Sequence, residues 1–259
     1  MKSLGKELLV LAGLIAAFMI SENLLGKVLI HFSLISIATD QFDIHWNNFW
    51  LHSCWSTVGL ISTICYVSWL LKLNPWKTIQ FLGVKAFNSR QVLVGVLAAF
   101  PVLAVHWISL EFYSQPGVGL RSNWAPYLAY LIVGAGFFEE LTFRGMFFQC
   151  FRKNHSFMTA ATLSGIFWSL MHLYMSPQVG AIWISMVLAF VLAFPAAYLF
   201  EKGDMVVWGW MIVHLSIDST QLFVNSNGSS FSDQWILGLV ALIVSVIITF
   251  PLAKWILKS

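Results

Sequence analysis

Two glutamates, two histidines and an aspartate stand in apolar surroundings in the second half of this sequence, at spacings suited to moving protons. Glu139 and Glu140 are adjacent, and Arg144 lies four residues beyond the second. His172 follows in a separate apolar run, and His214 and Asp218 are four apart in a third. A charged side chain at the centre of a membrane helix costs about 2.5–3.5 kcal/mol on insertion scales, so such groups normally face a protein interior or a wet cavity. Carboxylates and imidazoles gathered in one such place can act as general acids and bases or bind a metal ion.

On a helix, Glu140 and Arg144 share a face and can pair, whereas Glu139 points about 100° away. One carboxylate is then neutralised locally while the other is free to face something else. Gly134, Ala135 and Gly136 precede the pair, and small residues allow close helix approach. His172 lies ~20 Å along its helix from residue 159, well inside the bilayer. His214 and Asp218 share a face. Each signal has a plain structural reading: a buried ion-pair network for Glu139, Glu140 and Arg144, a hydrogen-bonded core histidine for His172, and an intrahelical His–Asp bond. Their concentration in three helices, with Glu22 and Lys27 the main other charges in the spans, favours one hydrophilic intramembrane site.

The elements that must position these residues are membrane helices. The 259-residue chain is 59% hydrophobic and 10% charged, against about 45–50% and about 25% in soluble domains, and its mean hydropathy is +0.79. A net charge of +3 does not suggest a nucleic-acid partner. The sequence predicts an all-α bundle of about eight spans, near 8–30, 49–71, 91–110, 125–151, 159–175, 180–200, 206–223 and 235–257. Residues 1–120 hold N-terminal helices and a linker, residues 121–259 the catalytic core, and the two form one structural unit. Lys72, Lys77, Lys85, Arg90, Arg152, Lys153, Lys202, Lys254 and Lys258 cluster in alternate loops, which puts both termini in the cytoplasm.

Trp76, Ile79 and Leu82 recur every third residue in the linker Asn74–Arg90, as in a short amphipathic helix on the membrane surface, although an ordinary polar loop fits equally. Lys2 and Lys6 precede an apolar run without a clear cleavage site, which reads as an uncleaved first helix. Asn227-Gly228-Ser229 matches a glycosylation sequon but reads better as a turn. Cys54, Cys65 and Cys150 form neither a disulfide framework nor a metal pair.

Glu139-Glu140-x-x-x-Arg144, the aromatic-x-x-x-His of Trp168 and His172, and His214-x-x-x-Asp218 resemble, in order and spacing, the three motifs of the CAAX protease and bacteriocin-processing family of intramembrane endopeptidases. The resemblance covers roughly residues 125–223. Two positions depart from the pattern. Trp168 stands where phenylalanine is usual, which keeps an aromatic wall. Asp218 stands where asparagine is frequent, and an ionised aspartate cannot donate a hydrogen bond.

The resemblance implies peptide hydrolysis in a cavity open to the cytoplasm. Glu139 with His172 would activate water, His214 and Asp218 would bind the oxyanion, and Glu140 and Arg144 would hold their helix in register. Two variants stay open: a metal-free glutamate protease, or Zn²⁺ held by His172, His214, Asp218 and Glu139. The implied substrates are peptides or prenylated protein C-termini. The short chain suggests a multi-pass protein of a bacterial cytoplasmic membrane. The competing readings are a non-catalytic immunity or binding protein on the same fold and an ion-coupled transporter, although no internal repeat supports the latter.

Overall fold

The computed structural model of the chain describes residues 41–113, 119–120, 124–175, 179–224 and 235–257. The expected first span, its flanking lysines and the sequon lie outside the described residues. The second expected span is helix α1 (Gln41–Leu71). It stops at Lys72, whose φ of 53° is a left-handed conformation that ends a helix. Asn74 then caps α2 (Pro75–Phe81), its side chain accepting from the Lys77 amide at 2.8 Å, with Pro75 in the first turn. This is the linker helix, bent 99° from Ser56–Leu71. Its apolar stripe is split: Leu82 is buried, Ile79 is half-buried and Trp76 is exposed.

The third span is α3 (Ser89–Tyr113). The fourth is composite: α4 (Trp124–Leu131), a π-helical stretch π1 (Ile132–Phe148), and α5 (Gln149–Arg152). There follow α6 (Phe157–Met175), α7 (Val179–Lys202), α8 (Trp208–Asp218) and α9 (Trp235–Ile256). The fold is therefore helical, as expected, with two differences in detail. The expected seventh span ends as a helix at Asp218 and continues as a 3-10 turn, Ser219–Leu222. Two short strands, β1 (Gly119–Leu120) and β2 (Phe223–Val224), then pair antiparallel, Gly119 opposite Val224. Among the described residues one segment, Ser185–Lys202, is long and apolar enough to cross a membrane alone, with Ser56–Leu71 plus Pro75–Phe81 as a bent second.

π1 contacts α1, α6 and α8, and α6 lies along α7. Aromatic side chains fill the space at its C-terminal end. Phe143 stacks on Phe147 at 5.6 Å, and Phe147 meets Phe167 of α6 at 5.0 Å. Burying rings this way supplies both apolar area and geometric specificity. Gly134 and Gly136 do face other helices closely, toward Ser56 and Met211. The tightest approach on π1 is at Gly145, where a Cβ would sit 2.2 Å from the Leu82 carbonyl oxygen.

The placement of α8 depends on α3. Gln91 is wholly buried, donates to the carbonyls of Leu199 and Val206, and accepts from the Gly209 amide at 3.3 Å. One amide thus satisfies three backbone groups around the turn that starts α8. One turn further on, Gly95 meets Gly209 backbone to backbone, and a Cβ on Gly95 would lie 2.4 Å from the Gly209 oxygen. Neither group can move without moving a helix, so a methyl there forces α3 and α8 apart. Gly95→Ala is expected to lower stability by about 1–3 kcal/mol, the usual cost of overpacking. Gly119→Ala, with nothing within 4 Å of the added Cβ, serves as the control. Thermal unfolding in detergent reads the difference, and equal melting of Gly95→Ala and native protein would contradict the backbone contact.

Candidate active site

The three motifs lie on three packed elements. π1 carries Glu139, Glu140 and Arg144, α6 carries Trp168 and His172, and α8 carries His214 and Asp218. The expectation of an α-helix at the first motif is corrected. Its residues form a 17-residue π-helix, in which i→i+5 bonding puts more residues in each turn and brings successive side chains closer in direction. The α-helical separation of Glu139 and Glu140 therefore does not apply. π-Helical turns occur frequently at functional sites.

Glu140 is fully buried and meets two partners, Arg144 and His214. Its Oε1 accepts from Nδ1 of His214 at 2.7 Å. Its Oε2 lies 3.3 Å from Nε of Arg144, an ion-pair contact rather than an aligned hydrogen bond. The expected Glu140–Arg144 pair is thus present, but the stronger link joins Glu140 to α8. The second ring nitrogen of His214, Nε2, lies 3.5 Å from Oδ2 of Asp218. His214 is therefore flanked by carboxylates on both sides. Asp218 itself is partly open, its side chain 23% exposed. It stands within charge–charge range of Glu139, Glu140, His172 and His214, so all five groups share one neighbourhood.

Glu139 does not pair with Arg144. Its Oε2 accepts a hydrogen bond from Nε1–H of Trp168 at 2.5 Å. The Arg144 guanidinium instead stacks on the Trp168 ring, 3.8 Å from its centroid, a cation–π contact. Both histidines present edges to the same indole, with ring centroids 5.7 Å away for His172 and 5.4 Å for His214. The reading of Trp168 as an aromatic wall is therefore incomplete. Its indole N–H is the hydrogen-bond donor to Glu139, which a phenylalanine ring lacks.

His172 contacts the Trp168 carbonyl through Nδ1 at 2.9 Å. A carbonyl only accepts, so Nδ1 carries the hydrogen, and Nε2 of the neutral ring keeps its lone pair. That nitrogen can accept a proton. The expected site residues are thus brought together, and Gln91, which the motifs did not reveal, holds the start of the helix that carries His214 and Asp218. A lone amide at the head of an apolar run was the available signal. At the helix ends, beyond the apolar stretches, Arg152 of α5 binds Glu201 of α7 at 2.6 Å, and this hydrogen bond raises its pKa from the ordinary value.

Zinc was one expected occupant. Among the described residues no three His, Cys, Asp or Glu side chains are grouped to hold a metal ion. The contacts give the reason. Both nitrogens of His214 face carboxylates, one oxygen of Glu139 faces Trp168, and Nδ1 of His172 faces a carbonyl.

Residues 121–220 match the family model described as type II CAAX prenyl endopeptidase Rce1-like. This is the family that the three motifs resemble, and the matched stretch, under half of the chain, contains every motif residue. The family is one of membrane-embedded proteases. No curated protein sequence matches the chain significantly.

Because Glu140 is a partner of both Arg144 and His214, its loss strands both. Glu140→Ala is expected to destabilise the fold by about 3–5 kcal/mol, as when one partner of a buried ion pair is removed. Asp218→Ala, whose partner is 3.5 Å away and whose side chain is partly exposed, should cost under about 1 kcal/mol. Denaturant unfolding in micelles compares them, and similar stabilities for the two variants would contradict the assignment of Glu140.

Proposed function

We propose that this protein is an intramembrane endopeptidase of the CAAX-processing type, hydrolysing a peptide bond with water activated by Glu139 and His172. The observation that carries this reading is the convergence of Glu139, His172 and His214 on the buried Trp168, with Asp218 beside His214. In the reaction, the Glu139 carboxylate removes a proton from water as its oxygen bonds to the scissile carbonyl carbon. Nε2 of His172 holds that water by accepting its other hydrogen. The carbonyl oxygen becomes an oxyanion. Nε2–H of His214 donates to it, with Nδ1–H kept on Glu140, and Asp218 steadies the ring. The intermediate collapses as the C–N bond breaks, and the proton passes to the leaving amine. A positioned base contributes about 10²–10⁴-fold and an oxyanion donor about 10²–10³-fold.

The chemistry proposed is metal-free. The substrate class is a peptide or prenylated protein C-terminus, which the family match supports. We place the chain in a bacterial cytoplasmic membrane, with about eight spans, both termini inside and the site open to the cytoplasm. Bare apolar side chains on the outer helix faces support a lipid environment: Trp69, Phe100, Trp183, Val187 and Ile247 are each at least 60% exposed. The N-terminal helices and the catalytic core form one unit in this reading, supported by the packing of α3 on α8.

Cleavage of a prenylated CAAX peptide by purified protein tests the assignment. Glu139→Ala and His172→Ala should each fold and lose at least about 10²-fold in turnover. Undiminished turnover in either variant counts against it. Pre-incubation with 1,10-phenanthroline should leave the native rate unchanged, and inhibition reversed by added zinc would overturn the metal-free chemistry.

A further inference from the structure

We propose that Trp168 is a positioning residue for the proton-accepting carboxylate: its indole N–H fixes Oε2 of Glu139 and leaves Oε1 to take the proton from water. The inference deepens the protease reading and rests on it. Trp168 is 1% exposed, so its N–H has no solvent to satisfy it, and it meets Glu139 at 2.5 Å. Among the described residues no hydrogen bond falls on Oε1 of Glu139. The two oxygens of the carboxylate are therefore unlike. One is tied to a rigid donor, and the other remains an acceptor.

The donor is rigid because its ring is held on several sides. Arg144 covers one face at 3.8 Å. The rings of His172 and His214 stand nearly perpendicular to it, at 76° and 78°. Phe143 packs at 6.3 Å. Trp168 therefore cannot turn to follow Glu139, and the carboxylate must align to the indole. Arg144, which has no direct bond to Glu139, acts on it through this ring. The same residue offers its carbonyl to Nδ1 of His172. Both groups assigned to water activation are thus referenced to Trp168, one through its side chain and one through its backbone.

The hydrogen bond can be removed without changing the shape. Replacing Trp168 by 3-benzothienylalanine keeps the bicyclic ring and substitutes sulfur for the N–H. That form should melt like native protein and cleave a quenched peptide ending in farnesyl-Cys-Val-Ile-Met with kcat lowered at least ~10-fold and KM within about two-fold, as expected for loss of a hydrogen bond to a charged group. Trp168→Phe should show the same split with some loss of stability. A native-like kcat in the benzothienylalanine form overturns the proposal.

The contact itself is read independently of turnover. In protein labelled with ¹⁵N at the indole, the Trp168 N–H signal is the one absent from the benzothienylalanine form. It should move in Glu139→Gln, and an unmoved signal also overturns the proposal. If that signal moves but native protein cleaves no peptide, the protease reading fails while the contact stands, so the two failures are distinguishable.

Discussion

One buried carboxylate ties the second half of this molecule together. Glu140 is inaccessible to solvent, and burying an ion is tolerable only with well-placed partners. It has two, Arg144 on its own helix and His214 on α8. The first contact keeps Arg144 in place beneath Trp168. The second turns Nδ1 of His214 toward π1 and leaves Nε2 on the side of Asp218. Remove that carboxylate and π1 and α8 lose the hydrogen bond between Glu140 and His214.

The two adjacent glutamates consequently have unlike duties. Glu140 is spent on structure and on orienting an imidazole, whereas Glu139 keeps one oxygen without a hydrogen bond among the described residues. From the π-helical stretch 132–148, Glu140 reaches His214 of α8 and Glu139 reaches Trp168 of α6. Trp168 receives the consequences. Glu139, Arg144, His172 and His214 all touch its indole, which makes it the reference point for groups from three helices. Distance from the first half of the chain is no barrier to influence. Gln91 and Gly95 hold the start of α8, and through it the height of His214 in the bundle.

Much of this was legible in the residues. Charges that apolar helices tolerate poorly, at four-residue spacings, located the site, and hydropathy located the helices from the second onward to within a few residues at most ends. Three things were not legible. The π-helical winding was hidden because its residues have no composition that distinguishes them from an α-helix. The choice of Glu140 over Glu139 as partner of His214 depends on the relative rotation of two helices, which spacing within either does not encode. Trp168 looked like a conservative exchange of one aromatic for another, because its N–H gains meaning only when an acceptor stands beside it. The number of membrane crossings belongs to the same group. Ser185–Lys202 is apolar enough by itself, whereas π1 and α8 carry the site's polar groups.

A double-mutant cycle between Glu140 and His214 tests the central link most directly. Unfolding free energies of Glu140→Gln, His214→Gln and the double variant would be measured in the same detergent. A hydrogen-bonded buried pair predicts a coupling of about 1–3 kcal/mol, with the double variant much less destabilised than the sum of the singles. Additivity within about 0.5 kcal/mol would mean that the two side chains do not meet, and the shared site across π1 and α8 would have to be abandoned.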